Sequence, residues 1–76
     1  MSKILEILQE IRPDSDFQAS TDYINDNLLD SLDIMSLIAE LEEQYRIKIQ
    51  VSDIIPENYQ NIETIADLIR KSGGTV

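Results

Sequence analysis

The stretch that decides the fold runs from Asp30 to Tyr45 and reads DSLDIMSLIAELEEQY. Its large apolar side chains recur with the period of a helix and fall within one narrow arc of a helical wheel: Ile34, Leu37, Ile38, Leu41 and Tyr45. Asp30 is the predicted N-cap, and Asp33 follows three residues later, where a carboxylate suits the positive helix end. The pattern predicts a helix that begins at Ser31, ends near Tyr45 and buries one face.

A second helix is predicted at the N-terminus. Its apolar residues share one face: Ile4, Leu5, Ile7, Leu8 and Ile11. Ser2 can cap its start, and Pro13 ends it because proline restricts the preceding Arg12 to extended backbone. Residues 13–30 show no sustained period, so we predict a long ordered loop between helices 1 and 2. The apolar side chains that can tether this loop to the core are Phe17, Tyr23, Ile24, Leu28 and Leu29.

The C-terminal part of the chain predicts a third main helix. Residues 46–51 alternate as a strand would, but no second run offers a partner strand, so we predict an extended connector. Pro56 limits residues 52–60 to a short helix, and the last helix begins after Asn61 and stops at Ser72-Gly73-Gly74. The expected fold is therefore all-α: a small four-helix bundle, with three main helices and a short third helix, over residues 1–72. Residues 73–76 are expected to form a flexible tail.

Composition excludes several classes of function. The 76 residues hold 15 Asp and Glu against 6 Lys and Arg, and this net charge of −9 disfavours nucleic acid as a partner. The absence of His and Cys excludes the usual zinc and haem sites and any Ser-His or Cys-His nucleophile pair. A calcium loop over residues 14–25 fails because Ala19 replaces the required glycine and Asn25 the bidentate glutamate. We therefore expect no catalytic residue, no metal site and no enzymatic activity.

The apolar runs of the chain are short. The longest is three residues, so no membrane insertion is expected. No export signal is visible and no disulfide is possible, which predicts a cytoplasmic protein. A monomer is expected, because a bundle of this kind leaves no large apolar surface exposed.

Ser31 is the candidate for chemistry. It stands in the first turn of the predicted second helix, directly after a long loop, so its hydroxyl is open to a modifying enzyme. Backbone N–H groups and the dipole at a helix N-terminus favour an attached phosphate there. From the residues alone, an ordinary first-turn residue is the better explanation of Ser31.

The wider pattern resembles a known family. Asp30-Ser31-Leu32-Asp33, followed by LIAELEE at residues 37–43, is similar to the phosphopantetheine-attachment region of acyl carrier and peptidyl carrier proteins, and the order of helices and loop is similar over most of the chain. The resemblance implies a discrete, stand-alone carrier in which Ser31 bears 4′-phosphopantetheine, transferred from coenzyme A by a phosphopantetheinyl transferase. Asp30 and Leu32 would flank the site, and the arm's thiol would hold an acyl or aminoacyl thioester. Acyl- or aminoacyl-activating ligases and downstream transferases or synthases would be the other partners.

Two departures from the family pattern bear on the cargo. Leu28-Leu29 stands where fatty-acid carriers usually have Gly-Ala, and Ser36 stands where a glutamate is common, so a housekeeping fatty-acid role is not expected. The segment Ile55-Pro56-Glu57-Asn58-Tyr59 resembles a stretch of discrete carriers for amino acids, D-alanine or secondary metabolites. The cargo itself stays open. Gly73-Gly74 also occurs near the end of ubiquitin-like modifiers, but their fold needs several strands that this sequence does not predict.

A second apolar stripe on the predicted second helix is the candidate docking surface. It consists of Leu32, Met35 and Ala39, although Leu32 is equally explained as an extension of the core. Acidic residues on the same helix are expected to attract the basic surface of a partner: Asp33, Glu40, Glu42 and Glu43. The alternative to a carrier is an acidic helical interaction module without a prosthetic group.

Overall fold

The computed structural model describes residues 3–75, which include three α-helices. They are α1 (Lys3–Ile11), α2 (Ser31–Tyr45) and α3 (Ile62–Lys71). Two 3₁₀ turns, Val51–Asp53 and Pro56–Tyr59, lie between α2 and α3, and the described residues contain no strand. The predicted all-α class is confirmed. The predicted cap Ser2 lies outside the described residues. Within residues 3–75, no helix is long and apolar enough to cross a membrane.

The two 3₁₀ turns stand where the sequence predicts a short third helix. Pro56 occupies the first position of the second turn, where its missing N–H costs nothing. Segments this short satisfy few hydrogen bonds within one element, so 3₁₀ geometry competes well with an α-turn. The structure thus has three α-helices rather than four in the described part of the chain.

The predicted N-cap Asp30 is confirmed, and α3 begins after Asn61 as predicted. At the start of α2, Asp30 and Asp33 each accept a hydrogen bond from the other's backbone N–H, which makes a capping box. Asn61 and Thr64 make the same arrangement at the start of α3. At the other end of α2, Arg46 adopts left-handed backbone with φ of 54°, and its N–H donates to the Glu42 carbonyl. These caps fix the bounds of α2 and α3 to within a residue of the predicted ones.

The core lies where α1 packs against both α2 and α3. From the three helices it takes mainly aliphatic side chains: Ile4, Leu5, Ile7, Leu8, Leu37, Ile38, Leu41, Ile65, Ala66, Leu68 and Ile69. Ile34 and Tyr45, predicted on the same face of α2, are half-buried. Burying this set removes most of the chain's large apolar area from water, which is the main force that holds so small a domain together.

The segment between α1 and α2 contributes Phe17, Tyr23 and Leu29 to the core. The rings of Phe17 and Tyr23 meet edge to face, with centroids 5.0 Å apart. The backbone N–H of Tyr23 donates to the Gln60 carbonyl at 2.7 Å, and the Asn61 side chain donates to the Thr21 carbonyl at 3.1 Å. These bonds hold the segment against the start of α3, and the segment then leads into α2 at Ser31.

The connector after α2 is held by polar contacts as well as by the buried side chain of Ile49. The Glu42 carboxylate accepts a hydrogen bond from the Ile49 backbone N–H at 2.9 Å. Further along, the Asp53 carbonyl accepts from the Asn58 side chain at 2.8 Å and from the Tyr59 hydroxyl at 3.4 Å. Burial raises the pKa of Tyr59 to about 12, further above physiological pH than the pKa of an exposed tyrosine.

The two glycines of the predicted tail are part of the end of α3. Gly73 has a φ of +97°, which strains any residue with a Cβ. The Gly73 N–H donates to the Arg70 carbonyl at 3.1 Å and the Gly74 N–H donates to the Ile69 carbonyl at 2.8 Å, as in a Schellman motif. A Cβ on Gly74 would lie 2.6 Å from Cγ2 of Ile69 and 2.9 Å from Cγ2 of Ile47.

Replacing Gly74 by alanine is therefore expected to destabilise the fold. Overpacking of this kind costs about 1–3 kcal/mol, which corresponds to a loss of several degrees in thermal midpoint for a domain of this size. Thermal unfolding followed by circular dichroism measures the effect, and Thr75→Ala at the exposed next residue is the control. Equal midpoints for the two variants would mean that residue 74 does not pack on the bundle.

Candidate functional site

Ser31 is the first residue of α2 and is exposed to solvent. Its hydroxyl forms no hydrogen bond within the described part of the chain. Because Asp30 is the N-cap, Ser31 stands at the first helical position, where backbone N–H groups have no partner inside the helix. An open hydroxyl therefore stands at the N-terminus of a helix, as the sequence predicts.

The residues around Ser31 hold the helix start without help from its side chain. The Asp33 N–H donates to the Asp30 carboxylate at 2.9 Å, and the Asp30 N–H donates to the Asp33 carboxylate at 3.1 Å. The hydrogen bond from the Asp33 N–H holds the pKa of Asp30 below its ordinary value. Both capping bonds come from the flanking aspartates, so the Ser31 hydroxyl is free for other chemistry.

An ion pair ties this helix start to α1. A guanidinium nitrogen of Arg12, directly after α1, lies 2.6 Å from the Asp33 carboxylate. The Asp33 side chain is 15% exposed and that of Arg12 39% exposed, so solvent screens the pair only in part. Twenty-one residues separate the two partners in sequence, and sequence analysis gave no sign of the pair.

A shallow, mostly apolar pocket of about 190 Å³ lies beside the serine. Its lining comes from α2 and from the segment around the second 3₁₀ turn: Ser31, Ile34, Met35, Ile54, Ile55 and Pro56. Met35 and Ile55 remain 57% and 43% exposed. A flexible, partly apolar chain attached to the Ser31 oxygen has room to lie on this surface. The lining role of Ile54 was not predicted, although an apolar pair before Pro56 in a polar segment is a usable signal.

The predicted docking residues do not form one patch. Met35 belongs to the pocket beside Ser31, whereas Asp33, Ala39 and Glu40 line a separate cleft of about 430 Å³. That cleft lies between α1 and α2, and its remaining lining is Glu10, Ile11 and Ser36. The place of Glu10 in this cleft was not predicted, because the approach of α1 to α2 is a tertiary feature.

The other predicted docking residues have different surroundings. Leu32 is 78% exposed, so it does not extend the core. Glu43 is exposed as well. The Glu42 carboxylate is engaged by the Ile49 N–H, so this residue holds the connector in place.

These features define a class: an all-α domain that presents one open serine at a capped helix start, beside an apolar pocket. The family model of the phosphopantetheine attachment site matches residues 2–69, and the chain belongs to that family. Comparisons with curated proteins and with solved structures give no match. Domains of this family are carriers, not catalysts themselves, and they bear a covalently attached 4′-phosphopantetheine.

The residues present fit this group. The phosphate of 4′-phosphopantetheine needs an accessible hydroxyl and a setting that tolerates negative charge, and the positive end of the α2 dipole supplies that setting. The rest of the group is a chain of amides and methylenes, for which the pocket lined by Met35 and Ile55 offers an apolar wall. When bound, the group supplies a terminal thiol that forms thioesters.

Proposed function

We propose that this chain is a discrete carrier protein that holds an acyl or aminoacyl group as a thioester on a 4′-phosphopantetheine arm at Ser31. The observation that carries the proposal is the exposed Ser31 hydroxyl at the first position of α2, in a chain of the phosphopantetheine-attachment family. Asp30 and Leu32 flank the attachment point. The carrier domain spans residues 1–72, and the two 3₁₀ turns stand in place of the short third helix of a four-helix bundle.

Loading is a transfer to the Ser31 oxygen. That oxygen forms a bond to the phosphorus on the pantetheine side of coenzyme A, and the bond between this phosphorus and the bridging oxygen breaks. Adenosine 3′,5′-bisphosphate leaves, and the hydroxyl proton passes to a base of the phosphopantetheinyl transferase. The new phosphodiester carries one negative charge, which the N-terminal end of α2 favours.

The acidic surface is the proposed recognition feature for partner enzymes. Met35 lies beside the attachment point, while Asp33, Ala39 and Glu40 line the cleft against α1, and Glu43 is exposed further along α2. Basic surfaces on the transferase, on an activating ligase and on downstream transferases or synthases complement these carboxylates. We propose that the protein works with them as a monomer in the cytoplasm.

The proposed cargo is not a housekeeping fatty acid. Leu28-Leu29 precedes the attachment motif, and Ser36 stands on the second helix where a glutamate is common in fatty-acid carriers. The segment 55–59, which resembles that of discrete carriers for amino acids or secondary metabolites, includes the second 3₁₀ turn and lines the pocket beside Ser31 through Ile55 and Pro56. These features favour an aminoacyl or specialised acyl group.

Mass spectrometry tests the proposal directly. The purified chain is incubated with coenzyme A, Mg²⁺ and a broad-specificity phosphopantetheinyl transferase, and the intact mass is measured. We expect a gain equal to one phosphopantetheinyl group, and fragmentation of the tryptic peptide 4–46, which stays intact at Arg12-Pro13, should place it on Ser31. The absence of a gain would contradict the carrier function and leave the acidic interaction module as the better hypothesis.

A further inference from the structure

The six cations of the chain are unevenly placed with respect to Ser31. Lys3 lies 5.3 Å from the centre of the Tyr45 ring, at the C-terminal end of α2. Arg46 and Lys48 follow the C-terminal end of α2, and Arg70 and Lys71 lie in the last turn of α3. Since α2 has 15 residues and is therefore about 22 Å long, Lys3 and Arg46 at its C-terminal end are remote from its N-terminus. Arg12 pairs with Asp33 at that N-terminus.

Arg12 is bonded to the same turn that holds Ser31. The carboxylate oxygen of Asp33 that accepts from Arg12 at 2.6 Å also accepts from the Asp30 backbone N–H at 3.1 Å. One oxygen atom thus bridges the guanidinium and the residue that precedes Ser31. The positive charge of Arg12 is therefore local to residues 30–33.

The first turn of α2 is already acidic before any group is attached. Asp30 and Asp33 contribute two negative charges, and a phosphodiester on Ser31 would add a third between them. A helix N-terminus favours anions, but three within one turn also repel each other. The guanidinium has five N–H donors, and Arg12 uses one of its nitrogens on Asp33, so donors remain for a second anion.

We infer that Arg12 compensates the negative charge that loading adds at Ser31 and thereby keeps the first turn of α2 folded in the loaded protein. The inference rests on the proposed function, since loading supplies the charge. In the unloaded chain the Arg12–Asp33 pair is a partly exposed ion pair of ordinary, small value. Its effect becomes larger when residue 31 is negative.

A double-mutant cycle with Ser31→Asp tests the inference without any loading enzyme. Ser31→Asp places a negative charge at residue 31, and its effect on the thermal midpoint is compared in the natural background and with Arg12→Gln. We expect Ser31→Asp to lower the thermal midpoint by about 2–6 °C more in the Arg12→Gln background than in the natural background. Arg12→Lys should restore most of the difference, and high salt should reduce it, because both follow from charge.

Lys3→Gln is the control, since it removes one positive charge at the far end of α2. It should leave the effect of Ser31→Asp unchanged. The same cycle is then run with loaded and unloaded protein in place of Ser31→Asp and Ser31. Additive effects of Arg12→Gln and the charge at residue 31 would overturn the inference. If the natural chain does not load at all, the proposed function fails, while the Ser31→Asp cycle still decides the role of Arg12.

Discussion

Replacing Ser31 by alanine is expected to abolish phosphopantetheine loading completely. The alanine has no oxygen to form the bond to phosphorus, and no other hydroxyl stands at the first position of α2. Intact-mass spectrometry after incubation with coenzyme A and a phosphopantetheinyl transferase should show only the unmodified chain. Ser52→Ala is the matched control: it removes an exposed hydroxyl outside α2, the cleft and the pocket beside Ser31, and it should load as the natural chain does.

The loss must be separated from a loss of folding. The two capping bonds of α2 are made by Asp30 and Asp33, so Ser31→Ala removes no hydrogen bond from the fold. Its free energy of unfolding should stay within about 0.5 kcal/mol of the natural value, as for surface substitutions in general. A loaded Ser31→Ala chain would place the attachment point elsewhere, and an unfolded one would mean that the Ser31 side chain has a structural role.

Local signals explain why so much of this fold could be predicted from the sequence. The apolar period of residues 34–45 and the caps Asp30 and Asn61 are each formed by residues close together in sequence. The structure has α2 and α3 with the bounds that these signals predict. The position of Ser31 followed from the same signals, because it depends on where α2 begins. The predicted short third helix is different. The stretch around Pro56 is too short for a periodic pattern, so its 3₁₀ geometry could not be predicted from the sequence.

The surroundings of Ser31 depended on tertiary contacts that no local pattern encodes. The Arg12–Asp33 pair spans 21 residues. The pocket joins Met35 of α2 to Ile55, 20 positions later in the chain, and the cleft with Glu10 exists only because α1 packs against α2. Glu42 was predicted as a docking residue from its place on α2. Its bond to the Ile49 N–H could not be predicted, because it forms only where the connector turns back on α2.

Met35→Glu is expected to weaken the interaction with partner enzymes strongly while leaving the fold intact. Met35 is 57% exposed and lines the pocket beside Ser31, so a partner that reaches the serine covers its side chain. A carboxylate there would be buried against an apolar contact without a partner, and such a change at the centre of an interface typically costs 2 kcal/mol or more. The measurement is kcat/KM of the phosphopantetheinyl transferase, which should fall by about 30-fold.

The change of charge at Met35 needs its own control, because the whole chain is acidic and any added carboxylate alters its long-range attraction to a basic enzyme. Val51→Glu makes the same change of charge at an apolar residue that is 84% exposed and lies outside the pocket beside Ser31. It should leave kcat/KM within about threefold of the natural value, since remote surface charges act weakly through solvent. Met35→Leu, which keeps an apolar side chain of similar volume, should retain most of the activity.

A thermal midpoint that falls together with kcat/KM would make Met35 a core residue, and an equal loss for Val51→Glu would assign the effect to net charge. A loss confined to Met35→Glu would place the edge of the partner's footprint on the apolar wall that the attached arm also touches.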